Sequence, residues 1–297
     1  MATTFTKNTF GVTYKDDFAD SDNYHRILFN SGRAVQAREL TQSQTITQEE
    51  LARLGRHVFK DGAAVNPGGP TIDNSYEFVK LSSTITDDQV TSLVGLEFTG
   101  ATSSIKARVI RVAQAVTDTS LAELDASVSA TGDPATIFVQ YTDTSTSGLS
   151  GTAPVRFTPG ENITSGATTL AVQSTNTTAN PATGQGTLIS NGAGDFFVRG
   201  HFVFTKAQST LLRKYSKFPT EVIGFVVTED IVTFADDAAL YDNQGAVPNT
   251  TAPGADRYRI SLTLTRKSDV TGTQNFVFYA DVVAGEIVCL LYTSPSP

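Results

Sequence analysis

The stretch RYRISLTLTR, residues 257 to 266, decides the class of fold. Its apolar residues, at every second position from 258 to 264, alternate with Arg, Ser and Thr. Successive side chains of a strand point to opposite faces of a sheet, so the alternation predicts a strand with one buried face and one solvated face. Similar β-like runs are spread over much of the chain, at residues 77–81, 105–116, 137–141, 196–204, 222–234 and 276–283.

The composition agrees with a protein that is mostly β. The chain has 297 residues, of which 39% are hydrophobic and 18% are charged, which is enough apolar material for a core in one or two domains. The net charge of -8 argues against a nucleic-acid partner. No apolar run approaches the roughly 20 residues needed to cross a bilayer, so no membrane insertion is expected. A single cysteine, Cys289, fits assembly in a reducing cytoplasm.

The N-terminal residues 1–62 are predicted to form an assembly unit. Aromatic residues separated by short polar groups over residues 1–30 favour an extended docking arm. The next segment, from 31 to 60, has no proline and predicts one long α-helix, with Asn30 or Ser31 as its N-cap and Gly62 beyond its end. We therefore expect an α+β fold, mainly β, in which the arm and the helix precede an antiparallel β body.

Three further segments follow this unit in the prediction. Residues 63–75 contain Asn-Pro-Gly-Gly-Pro and are predicted to be a Pro/Gly linker. Residues 76–180 form a smaller β region with loops rich in Thr, Ser and Gly, and 181–297 form a larger one. The last nine residues, CLLYTSPSP, resemble a translated sequencing adapter, which is typical of a metagenomic sequence. We therefore expect the native C-terminus to differ beyond about Val288 and the natural protein to be longer.

The predicted helix carries a seam whose positions step alternately by three and four residues, as in a coiled coil. It is apolar at both ends and polar in the middle. One interpretation is that the seam pairs with another helix, while Gln44 and Thr47 fix the register through hydrogen bonds. The other is an amphipathic helix that packs on its own β body. The candidate assembly seam consists of Ala37, Leu40, Gln44, Thr47, Leu51, Leu54 and Val58.

Residues that could support catalysis or metal binding are few and scattered. His25, His57 and His201 are too far apart in sequence to form a local metal pair, and Cys289 has no histidine nearby. The acidic segment 16–23 lacks the Gly and the distal Glu of an EF-hand loop. The sequence therefore predicts no catalytic, cofactor-binding or metal-ligating residue, and a protein that is not an enzyme.

Three segments resemble one family, the tail-fibre-like or baseplate virion proteins of T4-like marine phages, the cyanophage-like myoviruses. They are YHRILFNSGRAVQARELTQSQTI at 24–46, HVFKDG at 57–62 and APGADRYRISLTL at 252–264. The chain departs from this family at Thr47, where its members carry an apolar residue. The resemblance implies a role in assembly without catalysis.

The expected function is therefore that of a virion structural protein of a bacteriophage, in the tail or baseplate, placed in the virion after assembly in the bacterial host cytoplasm. The expected partners are other tail or baseplate proteins and further copies of the chain as a homo-oligomer. The alternative is a carbohydrate- or cell-surface-binding β module, such as an adhesin or a tail-fibre-like protein. Its support lies in the loops rich in Thr, Ser, Asn and Gly and in the scattered Tyr and Phe residues.

Overall fold

The computed structural model describes residues 10, 11, 13–124, 127–143, 155–241, 251–272 and 275–290. Within them the fold is α+β and mainly β, as predicted. Helix α1 (Ala37–Val58) is the one long helix of the described chain, and α2 (Asp87–Ser92) is short. The strands are β1 (Ala63–Asn66), β2 (Pro70–Lys80), β3 (Glu97–Gly100), β4 (Lys106–Ala113), β5 (Thr136–Asp143), β6 (Asn162–Ser165), β7 (Thr168–Ala171), β8 (Thr183–Asn191), β9 (Gly194–Val198), β10 (His201–Thr205), β11 (Gln208–Arg213), β12 (Glu221–Val232), β13 (Arg257–Arg266), β14 (Phe276–Val283) and β15 (Glu286–Leu290).

These strands form three antiparallel sheets. One has eight strands in the order β11-β8-β2-β5-β4-β3-β6-β7, one has four in the order β13-β12-β14-β15, and one has three in the order β1-β9-β10. Strand β13 is the alternating stretch from which the class of fold was predicted, and it pairs with β12 along its whole length. Leu262 and Leu264 are buried, while Ser261 and Thr263 are exposed. The predicted two-faced strand is therefore confirmed.

Two large clusters of buried side chains make up most of the core. The buried residues of one lie between 79 and 182 and those of the other between 189 and 282, with Ala64 and Ile72 packed against the second from outside this range. A third, small cluster contains Tyr76, Phe78 and Phe138. The eight-stranded sheet nevertheless crosses residue 180, because β8 pairs with β2. A boundary near residue 180 thus separates the two large buried clusters without separating two sheets.

The segment 63–75, predicted to be a linker, is mostly strand. Ala63 and Ala64 pair with Phe197 and Phe196 of β9, and β2 begins at Pro70. Only residues 67–69 lie outside the strands. The linker was predicted from the Pro and Gly residues alone. The short apolar run at residues 63–65, which precedes them, is long enough to pair in a sheet. None of the helices in the described ranges is long and apolar enough to span a membrane.

Candidate assembly surface

Helix α1 starts at Ala37 and not near Ser31, because Gln36 provides its N-cap. The Gln36 side chain accepts a bond from the backbone of Glu39, and the Gln36 N–H donates to the Glu39 carboxylate at 2.9 Å. This reciprocal capping box satisfies two of the donors that a helix leaves free at its start. At the other end, basic Arg56 and His57 suit the negative end of the helix dipole.

One face of α1 packs on the body of the protein. Gln48 donates from Nε2 to the Gly200 carbonyl at 3.2 Å and is 3.0 Å from Nδ1 of His201. Burial lowers the pKa of His201, so its imidazole stays neutral at pH 7 and Nδ1 can accept this bond. Ala52 and Gly55 are buried, and a Cβ at Gly55 would overlap the Phe197 ring. A glycine inside a helix lowers its stability, but here it allows this close contact.

A second face of α1 is covered by the N-terminal arm. The acidic residues of the arm bind its polar side chains: Asp16 accepts from Thr45, and Asp17 accepts from Arg38 at 3.0 Å. These contacts explain the acidic segment 16–23 as a docking element. Ile46, which is 5% exposed, lies beside the arm.

The arm also contacts the far end of the chain. The Tyr14 hydroxyl donates to Asp256 at 2.7 Å, and this bond raises the pKa of Tyr14. The rings of Phe10 and Tyr258 meet edge to face at 5.4 Å. The described part of the arm therefore docks on its own chain, whereas the sequence predicted an arm that docks to neighbouring proteins of the assembly.

The third face of α1 is the candidate seam, and all seven of its residues are exposed. Leu54 is the most exposed of its large apolar side chains at 62%, followed by Leu40 at 52%, while Leu51 and Val58 are 44% and 39% exposed. The helix does lie on its own body, but it uses the face of Gln48 and Gly55. The seam is therefore not buried by the described residues, and its pairing with another helix stays a prediction.

The segment that leads into α1 is also apolar and exposed. Tyr24, Leu28, Phe29 and Val35 are each more than half exposed. With the four apolar seam residues, residues 24–58 hold eight of the eighteen exposed large hydrophobic side chains among the described residues. Single exposed apolar residues are normal, but such a concentration is typical of interaction sites. We call these eight residues the apolar surface. For the part of the apolar surface that precedes α1, the sequence shows no helical or strand periodicity, only a high content of aromatic residues.

The other residues considered for chemistry do not come together. His25 is 3.4 Å from Glu50 on the surface, His57 is exposed in the last turn of α1, and His201 contacts Gln48. Cys289 belongs to β15. In the part of the chain that the structure describes, no three His, Cys, Asp or Glu side chains are grouped so as to hold a metal ion.

Comparison with known proteins gives one match. Residues 12–120 match a family described as a domain of unknown function, DUF4815. The matched residues are less than half of the chain, and they include the described arm from residue 13 onward, α1 and strands β1 to β4. No curated protein and no solved structure matches the chain. The apolar surface lies entirely inside the matched segment.

Proposed function

We propose that this protein is a non-enzymatic structural component of a tailed-phage virion, in the tail or baseplate, which assembles with other proteins through the apolar surface. The observation that carries the proposal is the exposure of the seam on a helix whose other faces contact the body and the arm. Full burial of a Leu or Val side chain contributes about 1.5–3 kcal/mol. The four apolar seam residues can therefore supply substantial binding energy in a contact with another protein.

The way α1 is held favours such a contact. Its start is capped, its second face is tied to the arm, and Gly55 seats it against Phe197. Ordering a helix on binding consumes part of the interaction energy, and here the helix is already ordered. The seam is therefore a preorganised surface.

The order of residues along the seam favours a parallel arrangement when the partner is a second copy. In parallel register, Leu51, Leu54 and Val58 each meet their own counterparts, and Gln44 and Thr47 meet theirs through hydrogen bonds. Antiparallel pairing over the full seam sets Leu51 against Gln44, which leaves a polar group facing an apolar one. Self-association of this kind is one form of the assembly that we propose.

The placement in a phage rests on the resemblance to tail-fibre-like and baseplate proteins. The segment 24–46, which carries part of that resemblance, contributes Tyr24, Leu28, Phe29, Val35 and Leu40 to the apolar surface. The segment that resembles these phage proteins is thus also the segment that exposes apolar side chains. This overlap supports a role in assembly like theirs, because apolar residues exposed in one chain are suited to burial in a complex.

The test is to locate the chain in particles. A phage that encodes this sequence is purified, and its tails are probed by mass spectrometry and by gold-labelled antibodies against residues 63–290. We expect the chain in tail fractions at a fixed ratio to other tail proteins, with label at the tail or baseplate. An antibody depleted on the recombinant chain is the control. Finding the chain in the infected cell but never in particles would contradict the proposal.

A carbohydrate- or cell-surface-binding module is the second candidate. It is favoured by the rings of Phe204 and Phe218, which are 63% and 65% exposed and can serve as platforms for sugar rings. A glycan array separates the two functions. Specific glycan binding that is lost in Phe204→Ala or Phe218→Ala, in a chain that does not enter particles, would favour this candidate.

A further inference from the structure

A buried lysine and a buried asparagine meet at the end of strand β2. Lys80 is the last residue of β2, and Asn180 lies shortly before β8. Lys80 Nζ donates a hydrogen bond to Asn180 Oδ1 at 2.7 Å. Lys80 is 0% exposed and Asn180 is 7% exposed. The amine therefore lies against the amide group in a site that excludes water.

The surroundings of Lys80 disfavour its charged form. Its Nζ lies 4.1 Å from the centre of the Tyr215 ring and 5.6 Å from that of Phe78. Lys80 forms no ion pair with any described residue. A buried ammonium without a carboxylate partner is costly, and burial lowers the pKa of Lys80 to about 8, although the charge of Asp133 acts in the opposite direction. A part of the population therefore carries a neutral, nucleophilic amine near neutral pH.

The backbone fixes both reacting residues. The Lys80 N–H donates to the Ala182 carbonyl at 2.8 Å, and the Lys80 carbonyl accepts from Gln173 at 2.9 Å. Asn180 exchanges backbone hydrogen bonds with Thr177 at 3.1 and 3.2 Å. Because the C=O bond is about 1.2 Å long, the 2.7 Å hydrogen bond to Oδ1 places the amide carbon within about 4 Å of Nζ. Reacting groups that are held close together in a fixed geometry react as if at very high concentration.

We propose that Lys80 and Asn180 become joined by an intramolecular isopeptide bond. The neutral Nζ attacks Cγ of Asn180, a bond between Nζ and Cγ forms, and the bond between Cγ and Nδ2 breaks. A proton from the attacking nitrogen ends on the leaving nitrogen, which departs as ammonia. The product is a secondary amide, and the reaction needs no oxidant or cofactor. This inference goes beyond the assembly function and does not depend on it.

The residue after Asn180 allows the proposed reaction to be distinguished from ordinary deamidation of asparagine. An asparagine commonly loses ammonia when the next backbone nitrogen attacks its side chain, but residue 181 is a proline and has no N–H. The Asn-Gly pair at Asn191 is the chain's expected site for that competing reaction. Loss of ammonia at Asn180 therefore points to attack by another nucleophile, and Lys80 is in contact with it.

The test is mass spectrometry of the intact, full-length chain after folding. We expect a mass lower than that of the sequence by one ammonia molecule. Trypsin should fail to cut after Lys80, so that the peptide 61–106 is recovered covalently joined to the peptide 157–199. A wild-type chain with the full sequence mass and normal cleavage after Lys80 would overturn the proposal, and this result needs no variant.

Variants assign the bond to its two residues. Lys80→Met and Asn180→Ala should each leave the two peptides unjoined, with normal cleavage after Lys80 restored in Asn180→Ala, and wild type kept unfolded in denaturant should never yield the joined peptides. Two matched controls should keep the joined peptides: Lys206→Met, which removes an exposed lysine, and Gly192→Ala, which removes the Asn-Gly pair at a position where a Cβ meets no atom closer than 3.5 Å. Loss of ammonia that disappears in Gly192→Ala but persists in Lys80→Met would also overturn the proposal.

Discussion

The helical unit and the β body depart from the usual distribution of side chains in opposite directions. Residues 24–58 place apolar side chains in solvent, with Leu28 exposed to 76% and Leu54 to 62%. The β body instead buries polar and charged groups, including Lys80, Asp133 and Glu161. Both departures need an explanation, because each is unfavourable in isolation.

The buried polar groups of the body find partners within the chain. Asp133 accepts hydrogen bonds from the backbone of Glu123 and Leu124 and from Lys214 Nζ at 2.7 Å. Glu161 accepts two backbone hydrogen bonds from residues 102 and 103. The exposed apolar groups of the helical unit have no such compensation among the described residues. The comparison teaches that these buried groups of the body are satisfied within the chain, while the apolar side chains of the helical unit would be stabilised only by burial in a contact such as the one proposed above.

The largest effect is expected from removing a buried ring of the body. Phe225 is fully buried and lies 4.7 Å from the Phe196 ring and 5.0 Å from Tyr279. Phe225→Ala should lower the free energy of unfolding by about 3–5 kcal/mol, because it leaves a cavity. Leu54→Ala in the helical unit is the matched control and should change it by less than about 0.5 kcal/mol. Chemical denaturation measures both, and equal losses would contradict the comparison.

A smaller effect is expected from the titration of Lys80. The Asn180→Ala variant keeps Lys80 as a free amine. Its pKa is lowered from 10.5 to about 8 in the folded chain, so between these pH values the unfolded chain binds more protons and stability rises with pH. We expect the free energy of unfolding to increase by roughly 1–3 kcal/mol over this range.

The matched protein for this titration is the double variant Lys80→Met/Asn180→Ala, in which that rise should be absent. Groups that do not contact residue 80 contribute equally to both proteins, so their effects cancel in the difference. Denaturation curves at pH 8, 9 and 10 measure the effect. A flat difference between the two proteins would show that Lys80 is not held in a desolvated site.

The smallest effect on folding is expected at the seam. Leu51→Asp/Leu54→Asp should change the stability of an isolated chain by less than about 1 kcal/mol, because both side chains already lie in solvent. Association through the seam should be lost, since two unpaired carboxylates would be buried in the contact. Light scattering and thermal melts separate the two properties.

Thr117→Asp/Thr119→Asp, which adds the same charge on another exposed segment, is the matched control and should still associate. A monomeric wild type whose melting temperature falls in the Leu51→Asp/Leu54→Asp variant would eliminate self-association through the seam. A contact with a different protein, as the proposed function requires, is then tested by adding purified phage tails to both chains.

Local patterns predicted the regular elements of this protein well. The period of two in residues 257–266 identified β13, and the pattern of threes and fours identified the face of α1 that the structure leaves exposed. The start of α1 was missed because Gln36 is an uncommon N-cap, and the cap depends on Glu39 three residues later. β1 was missed because a strand of four residues is too short to show a clear alternation of apolar and polar residues, and Pro and Gly residues follow it directly.

Contacts between distant residues could not be predicted. Lys80 and Asn180 are 100 residues apart, and no spacing rule connects them. Which face of α1 packs on the body depends on Phe197 of β9 and on Gly200 in the turn between β9 and β10, each more than 140 residues along the chain from the α1 residue that it contacts. These features arise from sheet topology, which a sequence pattern does not specify.

The hydrogen bond from Tyr14 to Asp256 has a consequence for the time course of synthesis. The two residues are 242 positions apart, and the carbonyl of Gly200 that binds Gln48 follows that residue by 152 positions. At about 5–20 residues per second, the ribosome needs roughly 10–50 s to deliver Asp256 after Tyr14. Until Phe197 and Gly200 are made, α1 lacks its contacts with the body, and until Asp256 is made its arm lacks its final anchor. Nascent chains on neighbouring ribosomes of one messenger can therefore meet through bare helices before either has folded.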